Sequence, residues 1–363
     1  RFLFPSQLKM LRHLRHVGRR SLLIYLSVSA LILTIWSFRR TDYKILDSNG
    51  YSVCSRFLEE EPRDCREAKT TKWSGLDFHR GKNYTMQPDC DQYTDMDVVV
   101  LIMSSTQEFG LRMAIRQSYI QQKHWNGLKV RHVFIVGLAA QNSEDLQEYL
   151  TKESLKDRDI LQVQVKEGLY SGSRLMIGTM YWLQSCACKA EYVIKIGRNV
   201  VPNIFLMQET MTNMRKTEAE IHCLPITEVV ERDNRKQNYI RRDEYTIDQF
   251  PEYCESNTFI IRTDSAIHIL RTAEERDIFK LEGPYITGLL RKSSCISLQA
   301  PADGVTSKHI WSRRIPLNFD WHKIFFIHLH DKNLVNQLTF WEDMLRKMTG
   351  NKEKMVYIGP EGG

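Results

Sequence analysis

The sequence predicts an α/β fold: a mostly parallel sheet flanked on both faces by helices. Three observations predict it. Between about residues 96 and 196, four apolar segments of strand length alternate with three segments of helical spacing. The strand segments are apolar nearly throughout, as strands covered on both faces are. An apolar content of 42% over 363 residues suffices for a large core.

The elements follow in order. "MDVVVLIMSS" is the first buried strand, and "EFGLRMAIRQSYI" carries Leu111, Ile115 and Tyr119 at helical spacing. "VRHVFIVGLA" is the second strand, and "NSEDLQEYLTKE" a helix opened by Asn142 or Ser143 with acidic residues in its first turn. "DILQVQV", "SRLMIGTMYWLQSC" and "AEYVIKI" supply the third strand, third helix and fourth strand. Ligands of such sheets bind beyond the carboxyl ends of the strands. The tip after Ile196, Gly197-Arg198-Asn199, therefore borders the expected site.

The net charge of +7 resides entirely in residues 1–47, where nine basic side chains face only Asp42 and Asp47. The remaining chain is neutral, which offers no electrostatic footprint for nucleic acid. The basic end flanks "SLLIYLSVSALILTIWSF" at 21–38, which carries no charge. At about 1.5 Å per residue it reaches about 27 Å as a helix, enough for a thin membrane. Val28-Ser29-Ala30 offers a signal-peptide cleavage point, but apolar residues continue to Trp36, longer than a signal core. Basic residues are denser before the run than after it, so the expected topology is a type II signal anchor with the N-terminus cytoplasmic. Residues 1–20 are then a tail, 21–38 the transmembrane segment, 39–94 a polar stem, 95–345 the domain and 346–363 a C-terminal tail. A lumenal body agrees with the glycosylation sequon at Asn83-Tyr84-Thr85 and with eight cysteines, an even number suited to disulfides whose pairing the sequence leaves open.

In order along some 240 residues, Arg112–Tyr119, Phe134–Gly137, Trp182 with Cys186 and Tyr192–Lys195, Phe250–Cys254, the stretch from Glu282, and His328 or His330 with Trp341 match the landmarks of one family. The sequence resembles the β1,3-glycosyltransferases of glycosyltransferase family 31, which include β1,3-galactosyl- and N-acetylglucosaminyltransferases. The resemblance implies a GT-A fold in the Golgi or endoplasmic reticulum membrane and hexose transfer from a UDP-sugar to a glycan in protein glycosylation. It also implies Mn²⁺ on an acidic triad after the lysine, and a carboxylate base in an E-D-V stretch. The leaving diphosphate develops negative charge, which a divalent ion on oxygen ligands neutralises.

This sequence departs from the family at both places. Gly197-Arg198-Asn199 stands where the acidic triad would be, and Gly283-Pro284 replaces the Asp-Val pair after Glu282. Ser256-Asn257-Thr258 replaces a glycine-rich turn, and Met176 a lysine. Asp89-Cys90-Asp91, Asp95-Met96-Asp97 and Asp157-Arg158-Asp159 have a D-x-D pattern but fall at the opposite edge of the sheet, where solvated turn acids are expected. Candidate donor contacts are Arg112 and Arg116, which share a helix face and equally suit structural ion pairs, with Lys195, Arg198 and Asn199. Arg198 supplies a cation for a diphosphate, or else is a surface arginine on a drifted loop. Glu282 is the candidate base, and Tyr253 a wall of the acceptor cleft. His328 and His330 are read as alternating in their strand, one inward and one outward, without acidic partners. With metal ligands and base both replaced, two functions stand: a hexosyltransferase working without the usual metal, or a catalytically deficient lumenal chaperone or partner of an active glycosyltransferase.

Overall fold

The structure, a computed structural model, describes residues 45–46, 52–53, 83–139, 144–217, 220–311, 319–330 and 334–350. The tail at 1–20, the apolar run at 21–38, Asn142 and Ser143 lie outside the described residues. Among the described residues no helix is long and apolar enough to cross a membrane.

In chain order the elements are β1 (Tyr84–Met86), β2 (Val98–Met103), α1 (Phe109–Arg116), β3 (Val130–Leu138), α2 (Glu144–Asp157), β4 (Ile160–Lys166) and α3 (Gly172–Cys186). There follow β5 (Tyr192–Ile196), β6 (Val200–Pro202), α4 (Ile204–Met214), β7 (Ile221–Ile226), β8 (Tyr253–Arg262) and α5 (Thr263–Glu274). A wide helix α6 (Pro284–Leu290) runs into α7 (Arg291–Ser293), followed by β9 (Leu298–Gln299), β10 (Thr306–Ile310), β11 (Ile324–Leu329) and α8 (Leu334–Thr349).

Eight strands form the main sheet in the order β9-β7-β8-β5-β2-β3-β4-β1. The centre, β5-β2-β3-β4, is parallel, while β8 joins antiparallel to β5 and β1 antiparallel to β4. A smaller sheet, β10-β11-β6, pairs β11 parallel to β10 and antiparallel to β6. The α/β prediction thus holds, with antiparallel strands toward the edges of the sheet.

Strand alternation explains the unbroken apolar runs, because successive side chains enter opposite cores. Val99, Leu101 and Val193 face α3 and α5 through Leu175, Trp182 and Ile269. Val98, Val100, Ile194 and Ile196 face α1, α4 and α8 through Ile115, Met207 and Trp341. Two disulfides brace the frame: Cys90–Cys186 ties the segment before β2 to the end of α3, and Cys223–Cys254 ties β7 to β8. Cys188 and Cys295 are disulfide-bonded as well.

Several boundaries and turns differ from the sequence reading. Residues 84–94, read as stem, belong to the domain: β1 extends the sheet and Tyr93 is fully buried, donating to the His132 carbonyl at 2.8 Å. Helix α8 runs past 345 to Thr349. Asp89 and Asp95 are exposed turn acids as expected, but Asp159 is buried and hydrogen-bonded to Arg116 and His132. A carboxylate needs such partners when it leaves water.

Candidate functional site

The chain leaves β2 outward to β3 and β4, then returns to place β5 on the other side of β2. At such a switch point the segments after the two central strands diverge and open a crevice. Those segments are Ser104-Ser105-Thr106 and Gly197-Arg198-Asn199. Arg198 is exposed, and its Nη2 donates to the Ser104 carbonyl at 3.0 Å, so the guanidinium bridges the segments that follow β5 and β2. Asn199 adopts φ +59°, a left-handed conformation asparagine tolerates, and its carbonyl accepts from Leu329 N at 2.9 Å. Gly197 is required by close approach, since a Cβ there would lie 1.9 Å from the Ser256 carbonyl oxygen. One guanidinium nitrogen is thus held against neighbouring backbone while the residue as a whole stays exposed.

Lys195, three residues before Arg198, does not reach the tip. Its side chain enters the core shared by Val193 and Leu101, fully buried, and its Nζ meets Glu282 Oε1 at 2.5 Å. Burial pushes the ammonium pKa down, and Glu282 opposes that shift. Glu282 is brought in by the segment entering α6, and Gly172 at the start of α3 makes room for it: a Cβ there would sit 2.6 Å from Glu282 Oε2. The candidate base and candidate donor lysine therefore neutralise each other.

Arg112 and Arg116 are likewise engaged, which corrects their assignment to donor binding. Arg112 is fully buried, gripping Glu153 of α2 with Nε at 2.9 Å and Nη2 at 2.6 Å while Nη1 donates to Ser104 Oγ at 3.1 Å. Arg116 clamps Asp159 with Nε and Nη2, each at 2.7 Å, and reaches Glu153 with Nη1. Asp159 precedes β4, so Arg116 serves the edge opposite the crevice. Arg112 acts on the site only through the loop it holds, since the Ser104 carbonyl on that loop receives Arg198.

A carboxylate the sequence reading missed, Glu167, follows β4 at the crevice. Its Oε1 accepts from the Thr106 amide at 2.9 Å and the Gly137 amide at 3.3 Å. Burial pushes its pKa up against the lowering effects of those amides and of Arg198. Tyr253 is buried rather than lining an open cleft. Its hydroxyl donates to Glu228 and its ring packs under Gly283, so it supports the turn that carries Glu282. Asn83 is 9% exposed at the start of β1, with its carbonyl accepting from Gln164 N at 2.8 Å.

The histidine reading also needs correction. Residues two apart in a strand share a face, and His328 and His330 stack at 4.5 Å between ring centroids rather than facing apart. His309 of β10, opposite His328 in register, completes a trio. An acidic partner is present: His309 Nε2 meets Glu255 Oε1 at 2.5 Å. Burial and the two neighbouring imidazoles push His328 down to about 4.

The sequence profile described as galactosyltransferase matches residues 111–301, just over half of the chain and spanning the crevice from Arg112 to Glu282. The chain belongs to the galactosyltransferase family. Mouse β-1,3-galactosyltransferase 5 is 25% identical over 210 residues, 56% of this chain and 66% of that protein. Human β-1,3-galactosyltransferase 1 is 27% identical over 202 residues, 54% of this chain and 60% of that protein. The chain thus spans less than two thirds of the length of these relatives. Among solved structures, S. aureus TarS 1–349 in complex with UDP-GlcNAc aligns with a TM-score of 0.36 at 10% identity, over 70% of this chain and 65% of that one.

Within this galactosyltransferase-family frame the Mn²⁺ implied by the resemblance can be tested against the tip. Gly197 offers no side chain, Arg198 is cationic and Asn199 carries one amide oxygen. Of the nearby carboxylates, Glu108 is engaged by the Ser105 amide, Glu167 by two amides and Glu282 by Lys195. A hard cation wants several oxygen ligands, and these residues do not fit one.

Proposed function

We propose that this chain is a type II membrane hexosyltransferase of the Golgi or endoplasmic reticulum, moving galactose or an N-acetylhexosamine from a UDP-sugar in β1,3 linkage onto a glycan. The observation that carries the reading is Arg198, a guanidinium fixed across the switch point of a galactosyltransferase-family sheet. It stands where a nucleotide diphosphate would lie and pairs with the phosphates bidentately in place of a divalent cation. In the transfer, the acceptor hydroxyl gives its proton to Glu167 and its oxygen bonds to the anomeric carbon. The bond from that carbon to the β-phosphate oxygen breaks, and its electron pair leaves with UDP beside Arg198. Glu167 suits the role because both amides bind its Oε1, leaving Oε2 with only the Thr106 hydroxyl at 3.5 Å, and burial pushes its pKa up. The disulfides favour a lumenal domain.

A specific observation favours a second reading. With Glu282 tied to Lys195 and no acid at the tip, the same domain suits a catalytically deficient lumenal partner or chaperone of an active glycosyltransferase. Assay of the full chain against a panel of UDP-hexoses and glycan acceptors, in EDTA and in Mn²⁺, separates the two. The first reading expects β1,3-linked product in EDTA that falls about 10²-fold or more in Glu167→Gln. No product under either condition, with a transferase co-purifying, replaces it with the second.

A further inference from the structure

We propose that His309, His328 and His330 form a binding site for a divalent transition metal of the zinc class. Strands β10 and β11 run parallel with His309 directly opposite His328, and His330 follows on the same face two residues on. The three imidazoles offer ligand nitrogens that all lie within 4.8 Å of one another. His309 Nδ1 and His330 Nε2 are 3.0 Å apart, close to the roughly 3.3 Å that two nitrogens about 2.0–2.1 Å from a tetrahedral zinc would have. Only His328 needs to draw in.

The surroundings supply what a metal-binding histidine requires of its other nitrogen. Such residues donate their second ring N–H to a carboxylate or another acceptor, which fixes the tautomer and leaves the opposite nitrogen as the ligand. His309 Nε2 donates to Glu255 Oε1 at 2.5 Å, and Glu255 Oε2 is itself held by Ser307 Oγ at 2.8 Å. His328 Nδ1 lies 2.9 Å from Ser256 Oγ. His309 is thereby oriented with its Nδ1 lone pair left for the ion, and a His328 Nδ1–H donated to Ser256 leaves Nε2 free in the same way. Glu255 and Ser256 belong to the irregular stretch of β8, where Ser256 and Asn257 take φ of +50° and +49°. That uncommon backbone for non-glycine residues brings both side chains toward the histidines. His330 is backed by Trp311, whose ring stacks on it at an interplanar angle of 5°.

The donor set decides the metal. Imidazole nitrogen suits zinc, cobalt, nickel and copper, whereas magnesium, calcium and manganese prefer oxygen. Three protein ligands leave a fourth tetrahedral position for water or a ligand oxygen, the open arrangement rather than the closed structural one. The site is distinct in chemistry from the acidic triad the resemblance implies, and it stands whether or not the chain transfers a sugar. It adjoins the tip of β5: β11 pairs with β6, which follows Asn199, and Leu329 N donates to the Asn199 carbonyl.

The test is calorimetric titration of Zn²⁺ into the full chain, purified without a polyhistidine tag and stripped with EDTA, together with visible absorption after Co²⁺ addition. One equivalent of Zn²⁺ is expected to bind, Co²⁺ to give the intense bands of a tetrahedral nitrogen site, and millimolar Mg²⁺ or Mn²⁺ to leave both unchanged. His309→Ala with His330→Ala should abolish the binding, while His322→Ala, in the exposed turn before β11, should not. Glu255→Gln, which spares every ligand, should weaken Zn²⁺ by about 10–100-fold. If the double variant fails to fold, Glu255→Gln and the wild-type Co²⁺ spectrum still decide. The proposal is overturned by the absence of saturable Zn²⁺ binding, by an octahedral Co²⁺ spectrum, or by affinity unchanged in Glu255→Gln and the histidine double variant.

Discussion

Cutting either side of the Lys195–Glu282 pair is expected to destabilise the domain by about 3–5 kcal/mol, because one buried charge is left without its counter-ion. The lysine ammonium is fully buried in an apolar core and the glutamate side chain is 12% exposed, so water can compensate neither. Replacing both partners with apolar residues of similar volume is a different matter, since the desolvation cost disappears with the attraction. Urea unfolding of Lys195→Met, Glu282→Gln and Lys195→Met/Glu282→Leu gives the comparison. Each single variant should lose several kcal/mol and the double variant should recover most of it. Additive losses would mean that the pair is not the coupled unit described. The result also bears on function, because a glutamate that exists to neutralise Lys195 is not available as a base.

Arg112→Met should cost a similar amount, about 3–5 kcal/mol, for the same reason and with an added consequence. The substitution leaves Glu153 with only Arg116, and strips Ser104 and Ser105 of their donor. The loop whose carbonyl holds Arg198 then loses its brace, so any ligand affinity that depends on Arg198 should fall along with stability. The neighbouring Asp159 adds a pH signature. Burial alone would push its carboxyl up, but hydrogen bonds from Arg116 and His132 overcome this and hold it well below its ordinary 3.8. A folded value below the unfolded one stabilises the native state above about pH 4 and loses that contribution as pH falls further. The urea midpoint of the wild type should drop steeply below about pH 4, and that of Asp159→Asn, lower at pH 7, should drop less. Equal slopes would remove Asp159 from the network.

The strands were legible because burial on both faces leaves a signature in single segments: "VVVLIM" and "YVIKI" read as strands without knowledge of their partners. That the tip after Ile196 borders the site also followed from strand–helix alternation, whereas the order β5-β2-β3-β4 came only with the structure. What was not legible depends on distant residues. The sequence marked Lys195 and Glu282 as landmarks but could not show that they meet across 87 positions. It put Arg112 and Arg116 on one helix face, but their partners Glu153 and Asp159 arrive from the next helix and strand. The histidines were misread for a local reason, since period two puts His328 and His330 together. His309 and Glu255, the residues that make them a cluster, come from two other strands. Glu167 had no sequence signal beyond its position one residue past a buried strand.

The central claim is that a fixed guanidinium at the tip of β5 takes the place of metal in holding a nucleotide diphosphate. Titration of UDP into the full chain in excess EDTA, for the wild type and Arg198→Ala, tests it most directly. The account predicts saturable binding by the wild type that weakens about tenfold or more in the variant, the loss of one charge-assisted contact worth about 1.5–3 kcal/mol. Failure of the wild type to bind UDP, or equal affinity in both forms, would contradict it.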